Sequence, residues 1–378
     1  MILNIFVHDF SYSVGHSRAM IEVLRNINKE RIESINIICF QSDNIKALFP
    51  ESYQKFNIIN VPLNFLFPFL LKSIFYQLYT QFFFRKKGGK KEINITMGIC
   101  SFVGDIINVQ FAHYLWAESY FKLTQNSFIK NIYKKLYFNY LNLCEKSYYS
   151  KNELKFVFLS KFMQDSFIKN FKIDSDKTFL AYSSAASDKF RPSPKSRAEV
   201  FNGLKEKHFE LLSIDHKKPT FLFVGAFERK GLTLTLDKIP NDANYIIIGK
   251  PERGSRLQIP SRKNIVHIPY TDNIQNFYQC FDTFVFPTLF EPFGLVIMEA
   301  AMCGMNLVIS QKNVGASELL KEMEGVHFID PSHDFSLSEF MKILPDELRQ
   351  ERHEVRKEKL RNYTWKQCAK EWEKAINS

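Results

Sequence analysis

Apolar and polar positions follow two alternating rhythms along this chain. Short apolar runs of four to six residues recur, and between them lie stretches with helical spacing. In the first half the runs Ile2–Val7, Ile35–Phe40, Phe56–Val61, Ile93–Met97, Ile106–Gln110, Phe156–Ser160 and Thr178–Tyr182 read as strands. Between the first two, Ser17–Asn26 reads as a helix with Met20, Ile21, Val23 and Leu24 on its inner side. A second series follows Pro192-Ser193-Pro194, with strands at Pro219–Val224, Tyr245–Ile248, Ile265–Ile268, Thr283–Phe286 and Asn306–Ile309. Strands alternating with helices imply right-handed crossovers and a parallel, doubly wound sheet, here twice over. The Pro-bearing, basic stretch Phe190–Arg197 is the linker candidate. Domains are expected at 1–190 and 195–362. The segment Asp346–Asn377 is helical by propensity and rich in charge.

Length agrees with two domains, since 378 residues exceed what one ordinary core supports. The apolar N-terminus lacks the basic stretch and small-residue cleavage site of a secretory leader, and reads as a buried first strand. Six scattered cysteines show no C-x-x-C pair and no metal-ligand spacing, which points to reduced thiols and a cytoplasmic chain. The net charge of +11 is unevenly spread. Up to Phe190 there are 24 Lys and Arg against 15 Asp and Glu, and beyond it 27 against 25. The excess of nine in the first half suits either an anionic partner or a solvated basic surface. The basic runs match no nucleic-acid-binding motif.

Leu63–Phe84 is almost wholly apolar and aromatic, yet Pro68, Lys72 and several Gln argue against a spanning helix. Ser73, Gln77, Gln81 and Arg85 recur every four residues as a narrow polar stripe. Five of the seven residues 85–91 are basic. Two readings stand together: a crossover helix with an exposed basic loop, and a segment (63–91) lying on the anionic inner face of the cytoplasmic membrane.

The chemistry concentrates at Phe284–Ser310. A strand ends at Pro287, a loop carries Glu291-Pro292-Phe293-Gly294, and a helix runs from Leu295 to about Met302, closed by Gly304. Glu291 lies before the helix and Glu299 within it, both at the C-terminal edge of a sheet, where open α/β folds bind ligands. The free N–H groups near Gly294 and Leu295 suit a phosphate.

Glu291, Phe293, Gly294, Leu295, Glu299, Ala300 and Gly304 occupy every place of E-x-F-G-[LI]-x-x-x-E-A-x-x-x-G. In this the chain resembles the retaining glycosyltransferases of the glycosyl transferases group 1 family. That resemblance implies the GT-B fold: two Rossmann-like domains facing a cleft, with a last helix (363–378) crossing back to the first domain. Phe221–Gly225 followed by Arg229-Lys230-Gly231 is similar to the family's strand, turn and basic pair, which implies Lys230 on the donor diphosphate. The arginine often found after the turn glycine is Ala226 here, and Arg229 stands in for it. Glu291 is implied on sugar hydroxyls and Glu299 on the ribose, with Phe293, Gly294 and Leu295 in the donor site. Tyr270 is implied beside the base. Gly15 stands in the first glycine-rich loop, although the paired glycine is Val14. His113 stands where several members carry a histidine that touches the donor sugar, and it reads equally as a packed histidine. The family's Asn-Gly-x-Asp before the linker is Ser183-Ser184-Ala185-Ala186.

The implied activity is metal-independent, retaining transfer from a nucleotide-diphosphate sugar to a glycan or lipid-linked acceptor, in cell-surface polysaccharide or lipopolysaccharide assembly. The donor is a substrate, no cofactor is implied, and no Asp-x-Asp metal motif follows a strand. The alternatives are a nucleotide-sugar epimerase and a sugar-binding protein without transfer activity.

Overall fold

The computed structural model describes residues 1–65, 68–84, 92–123, 128–184, 189–252 and 255–378. Contacts divide the chain into two compact units. One comprises residues 1–114, 131–183 and 363–378, and the other residues 115–130 and 184–362.

The first unit is built on a seven-stranded parallel sheet. Its strands are β1 (Ile2–Phe6), β2 (Ser34–Cys39), β3 (Phe56–Asn60), β4 (Glu92–Met97), β5 (Ile106–Val109), β6 (Lys155–Phe158) and β7 (Thr178–Leu180). Their spatial order is β3-β2-β1-β4-β5-β6-β7. The order reverses between β1 and β4, which is the switch point where doubly wound sheets receive ligands. Helices α1 (Gly15–Asn26), α2 (Phe69–Phe83), α3 (His113–Leu123), α4 (Phe128–Tyr149) and α5 (Lys161–Phe171) connect the strands in sequence, and of these the stretch 115–130, most of α3 and the start of α4, belongs to the other unit. Leu3, Ile5, Ile35 and Ile37 are fully buried between the layers. An asparagine ladder crosses four of the strands at matched register. Asn57 donates to Asn36 at 3.0 Å, Asn36 to Asn4 at 2.8 Å, and Asn4 to Asn94 at 2.9 Å. Each amide satisfies its neighbour, so polar groups persist in a sheet that is otherwise apolar.

Helix α2 departs from the pattern read in the sequence. It begins at Phe69 rather than Leu63, because Pro68 lacks the N–H that a helix interior uses. Its buried face is Ser73, Tyr76, Gln77 and Thr80, so the polar stripe turns inward at Ser73 and Gln77 and leaves the interior at Gln81, which is exposed. The basic run 85–91 lies outside the described residues, as do Ala185 and Ala186.

The second unit repeats the plan with α6 (Arg197–Lys207), β8 (Thr220–Val224), β9 (Asn244–Ile248), β10 (Ile265–Ile268), α7 (Ile274–Cys280), β11 (Thr283–Phe286), α8 (Leu295–Met302), β12 (Asn306–Ser310), β13 (Val326–Ile329) and α9 (Asp346–Lys359). All six strands are parallel, in the order β10-β9-β8-β11-β12-β13, with the switch between β8 and β11. Strand β13, absent from the strands read in the sequence, is a half-exposed edge strand whose apolar run is interrupted by His327, and pairing with β12 holds it. Asp282, wholly buried, ties the unit together. It pairs with Arg197 and accepts from Thr220 N and Leu344 N, each at 2.9 Å. Arg356 of α9 donates to Ala301 O and Met305 O, each at 2.9 Å, and so satisfies carbonyls at the C-terminal end of α8.

The helical stretch 346–377 is two helices, broken at Leu360–Thr364. Thr364 caps the second, Trp365–Asn377, by accepting from Gln367 N. This C-terminal helix belongs to the first unit. There Trp372 is buried, Cys368 Sγ points at Ala181 O, and Glu373 accepts from Asn28 N.

Candidate active site

In the second unit two loops meet at the switch point. The first leaves β8 through Gly225 and turns back at Gly231, whose φ is +81°. A Cβ at Gly231 would lie 2.2 Å from Pro287 O, so only glycine lets this loop lie against the one that leaves β11. Thr288, fully buried, fastens the two loops by donating from Oγ1, with Arg229 O and Phe290 O each 3.0 Å away. The close approach brings Lys230 onto Glu291, and Nζ forms an ion pair with Oε2. Lys230 Nζ also lies 5.2 Å from the centre of the Phe286 ring, within cation–π range.

Both members of this pair are buried. Burial, and then the charge of Arg229, push the Lys230 ammonium well below the usual lysine range. The carboxylate of Glu291 works against that push. Arg229 is half-buried; burial lowers its pKa and Glu252 opposes the shift.

Glu291 is positioned by its backbone, which bridges to Val314. Its N–H donates to Asn313 O at 2.8 Å, and its carbonyl accepts from Gly315 N at 3.1 Å. Gly294 precedes α8 with φ +101°, and a Cβ there would meet Ile297 at 2.8 Å and Glu291 at 3.3 Å. Phe293 is buried and Leu295 half-buried. Glu299 is buried inside α8, where it accepts from Tyr278 Oη at 3.2 Å. Tyr270 is 68% exposed, beyond the end of β10 and two strands away from β8.

The first unit carries a separate pocket of about 170 Å³. It opens beyond β1, β4 and β5 and is lined by His8, Ser73, Gln77, Gln110, His113 and Tyr137, among others. His113 begins α3. Its Nδ1 lies 2.7 Å from Glu145 Oε1, and its backbone N–H donates to the same oxygen at 2.9 Å. Glu145, wholly buried on α4, thus caps the helix and orients the imidazole together. In the neutral imidazole, donation from Nδ1 to this carboxylate leaves Nε2 as an acceptor. His8 stays neutral: burial, then the charges of His16 and Lys72, push its pKa down to about 3. His8 Nε2 and Gln110 Nε2 are buried with no hydrogen-bond partner among the described residues. Gly15 opens α1, and a Cβ there would meet nothing within 4 Å, so packing does not demand glycine.

Thr288, Glu145, His8 and Gln110 carry no local signal in the sequence. Glu145 lies 32 residues from His113, a separation that no motif spans.

Two doubly wound parallel units in one chain define the GT-B class of glycosyltransferase fold. The solved sucrose-phosphate synthase of Thermosynechococcus elongatus has this architecture. It aligns over 100% of this chain and 98% of its own with a TM-score of 0.71, at 12% identity. The Anabaena HepE protein, solved in complex with UDP and glucose, aligns over 100% and 99% with a TM-score of 0.65, at 13% identity. Residues 205–362 match the family model described as glycosyl transferases group 1. A probable sucrose-phosphate synthase of Thermosipho melanesiensis is 29% identical over 174 residues. That match covers 46% of this chain, and the chain spans only 36% of that relative's length.

Proposed function

We propose that the chain is a retaining glycosyltransferase that moves a sugar from a nucleoside-diphosphate sugar to a hydroxyl of a glycan or lipid-linked acceptor. One observation carries the reading: Lys230 and Glu291 meet at the switch point of the second unit, below the N-terminus of α8. Nucleoside diphosphate is the ligand for which these groups are suited. Lys230 and Arg229 supply positive charge to the diphosphate, and the N–H groups at Gly294 and Leu295 supply donors. Glu299 receives the ribose hydroxyls. In the unliganded chain Glu291 neutralises Lys230; with donor bound, Lys230 turns to phosphate and Glu291 to sugar hydroxyls.

In the reaction the bond from the anomeric carbon to the diphosphate oxygen breaks, and a bond to the acceptor oxygen forms on the same face. The acceptor's proton passes to the departing phosphate oxygen. Catalysis rests on stabilising the diphosphate charge as it develops, and no metal is required. Residues 195–362 take the donor, and residues 1–190 take the acceptor side. His113, held by Glu145, contacts the sugar. The pocket beside it suits an uncharged, hydroxylated group, because neutral His8 and the amide of Gln110 offer hydrogen bonds and no charge. Its volume falls below the roughly 300–1,000 Å³ of sites that enclose a whole ligand, which fits one ring-sized end of an acceptor. Tyr270 stacks beside the base, and Gly15 leaves room for the diphosphate. The place of action is the cytoplasmic side of cell-surface polysaccharide or lipopolysaccharide assembly.

The test is a thermal-shift screen against nucleoside diphosphates and their sugars, followed by NMR of the product's anomeric centre. A stabilising nucleotide, transfer that persists in EDTA and a retained configuration are expected. Inversion of the anomeric centre or turnover of donor without acceptor would overturn the reading.

A further inference from the structure

Helix α2 is built inside out. Its buried face carries Ser73, Tyr76, Gln77 and Thr80, and each finds a polar partner or place within the unit. Gln77 Nε2 donates to Ile99 O at 2.8 Å, Thr80 pairs with Ser101 at 2.8 Å, and Tyr76 Oη accepts from Val7 N at 3.0 Å. The opposite stripe is Leu71, Phe75, Leu78 and Phe82, spaced by four, three and four residues. Leu71 and Leu78 are exposed, and Phe82 is 79% exposed. An ordinary surface helix turns these two faces the other way. Helix α4 lies beside α2: Tyr133 Oη accepts from Leu70 N, the Phe69 and Tyr137 rings touch, and Tyr140 donates to Gln77. Its own outward residues Ile132, Leu136 and Leu143 are exposed as well.

We infer that the outward faces of α2 and α4 form a docking surface for an anionic lipid bilayer. Several large apolar side chains exposed on each of two adjacent helices mark an interaction site. Charge selects the partner. Over residues 69–83 and 131–149 the helices carry Lys72, Lys134, Lys135 and Lys146, and their one acid, Glu145, is buried against His113. Pairing with a second copy would set lysines against lysines, whereas anionic headgroups neutralise them. Among the described residues no helix is long and apolar enough to cross a membrane, so the surface lies on the leaflet. The inner sides of the same two helices line the pocket through Phe69, Ser73, Gln77, Tyr137 and Leu141. Docking would therefore hold that pocket against the source of a lipid-linked acceptor. This last consequence rests on the proposed transfer; the docking itself does not.

The experiment is vesicle co-sedimentation of the full chain without donor, using phosphatidylcholine alone or with phosphatidylglycerol. Binding is expected only to the acidic vesicles, and added salt should weaken it. Changing Lys134, Lys135 and Lys146 to Gln should weaken it about a hundredfold, at about fivefold per lysine. Leu78→Gln with Phe82→Gln should abolish it. These side chains are mostly exposed, and unchanged circular dichroism would show the variants folded. Replacing the three lysines with Arg should preserve binding, a control for local unfolding. Equal binding to both vesicle types, or full binding by the Leu78/Phe82 variant, would overturn the inference. So would a dimer, seen by light scattering, that the Leu78/Phe82 change dissolves while no vesicle binding occurs.

Discussion

At the scale of single residues, the pairing of Lys230 with Glu291 has two separable consequences. A buried ion pair gives little net stability over an apolar pair, but breaking it by removing one partner strands a buried charge and costs about 3–5 kcal/mol. Lys230→Ala is therefore expected to lower both turnover and melting temperature, by two orders of magnitude or more for turnover. Lys230→Ala with Glu291→Ala should regain much of the lost stability and none of the turnover. A double-mutant cycle in urea, run beside an activity assay, checks this. Additive stability losses would mean that the two side chains do not interact.

His8 supplies a pH dependence of definite sign. Its folded pKa is about 3 and its ordinary value 6.5, so between these the unfolded chain binds the extra proton. Stability from this group is complete above pH 6.5 and falls as pH drops toward 3, at up to about 1.4 kcal/mol per pH unit. His8→Gln should flatten that part of the profile. Urea midpoints for both proteins at pH 7, 6 and 5 decide it. Of the residues in and near these sites, Glu291, Glu299 and Lys230 stood out in the sequence because a motif brackets them. His8 and Gln110 did not, because a buried unpartnered atom is a property of the packing around it.

Among the elements, the asparagine ladder is the clearest case of polar residues that specify a sheet. A one-residue slip of β1 would carry Asn4 to the other face and leave Asn36 and Asn94 without it. Asn4→Leu should cost about 1–3 kcal/mol, because the partners lose bonds while buried. Chemical denaturation measures it, and amide exchange on β2 and β4 should report the same loss. Strands were easy to read where both faces are covered, as in Tyr245–Ile248. The edge strand Val326–Ile329 escaped because one side of it meets solvent and its residues alternate too briefly. Helix α2 misled for a different reason. Its polar stripe was visible, but periodicity marks a face without saying which side turns inward, and only the partners Ile99, Ser101 and Tyr140 settle that.

For the molecule as a whole, the last helix shows how far apart in sequence one unit's parts lie. Trp365–Asn377 packs on α1, β6 and β7, with Trp372 almost fully buried. Trp372→Ala should destabilise the first unit by about 3–5 kcal/mol through the cavity it leaves. Limited proteolysis should then cut within residues 1–183 before residues 195–362. Cleavage in the reverse order would mean that the helix stabilises the other unit instead.

The sequence by itself determined the alternation of strands and helices, and with it two parallel, doubly wound sheets. It also placed the glutamate motif at the end of a strand. These follow from local rules: period, propensity and the right-handedness of crossovers. What only the tertiary structure decided is which distant groups touch. Glycine at 231 allows one loop to lie on another, and so Lys230 reaches Glu291. Glu145 reaches His113 across a helix pair, and α2 turns its apolar stripe outward because the interior offers its polar one better partners. Such contacts depend on the three-dimensional closure of the chain, which no spacing along it encodes.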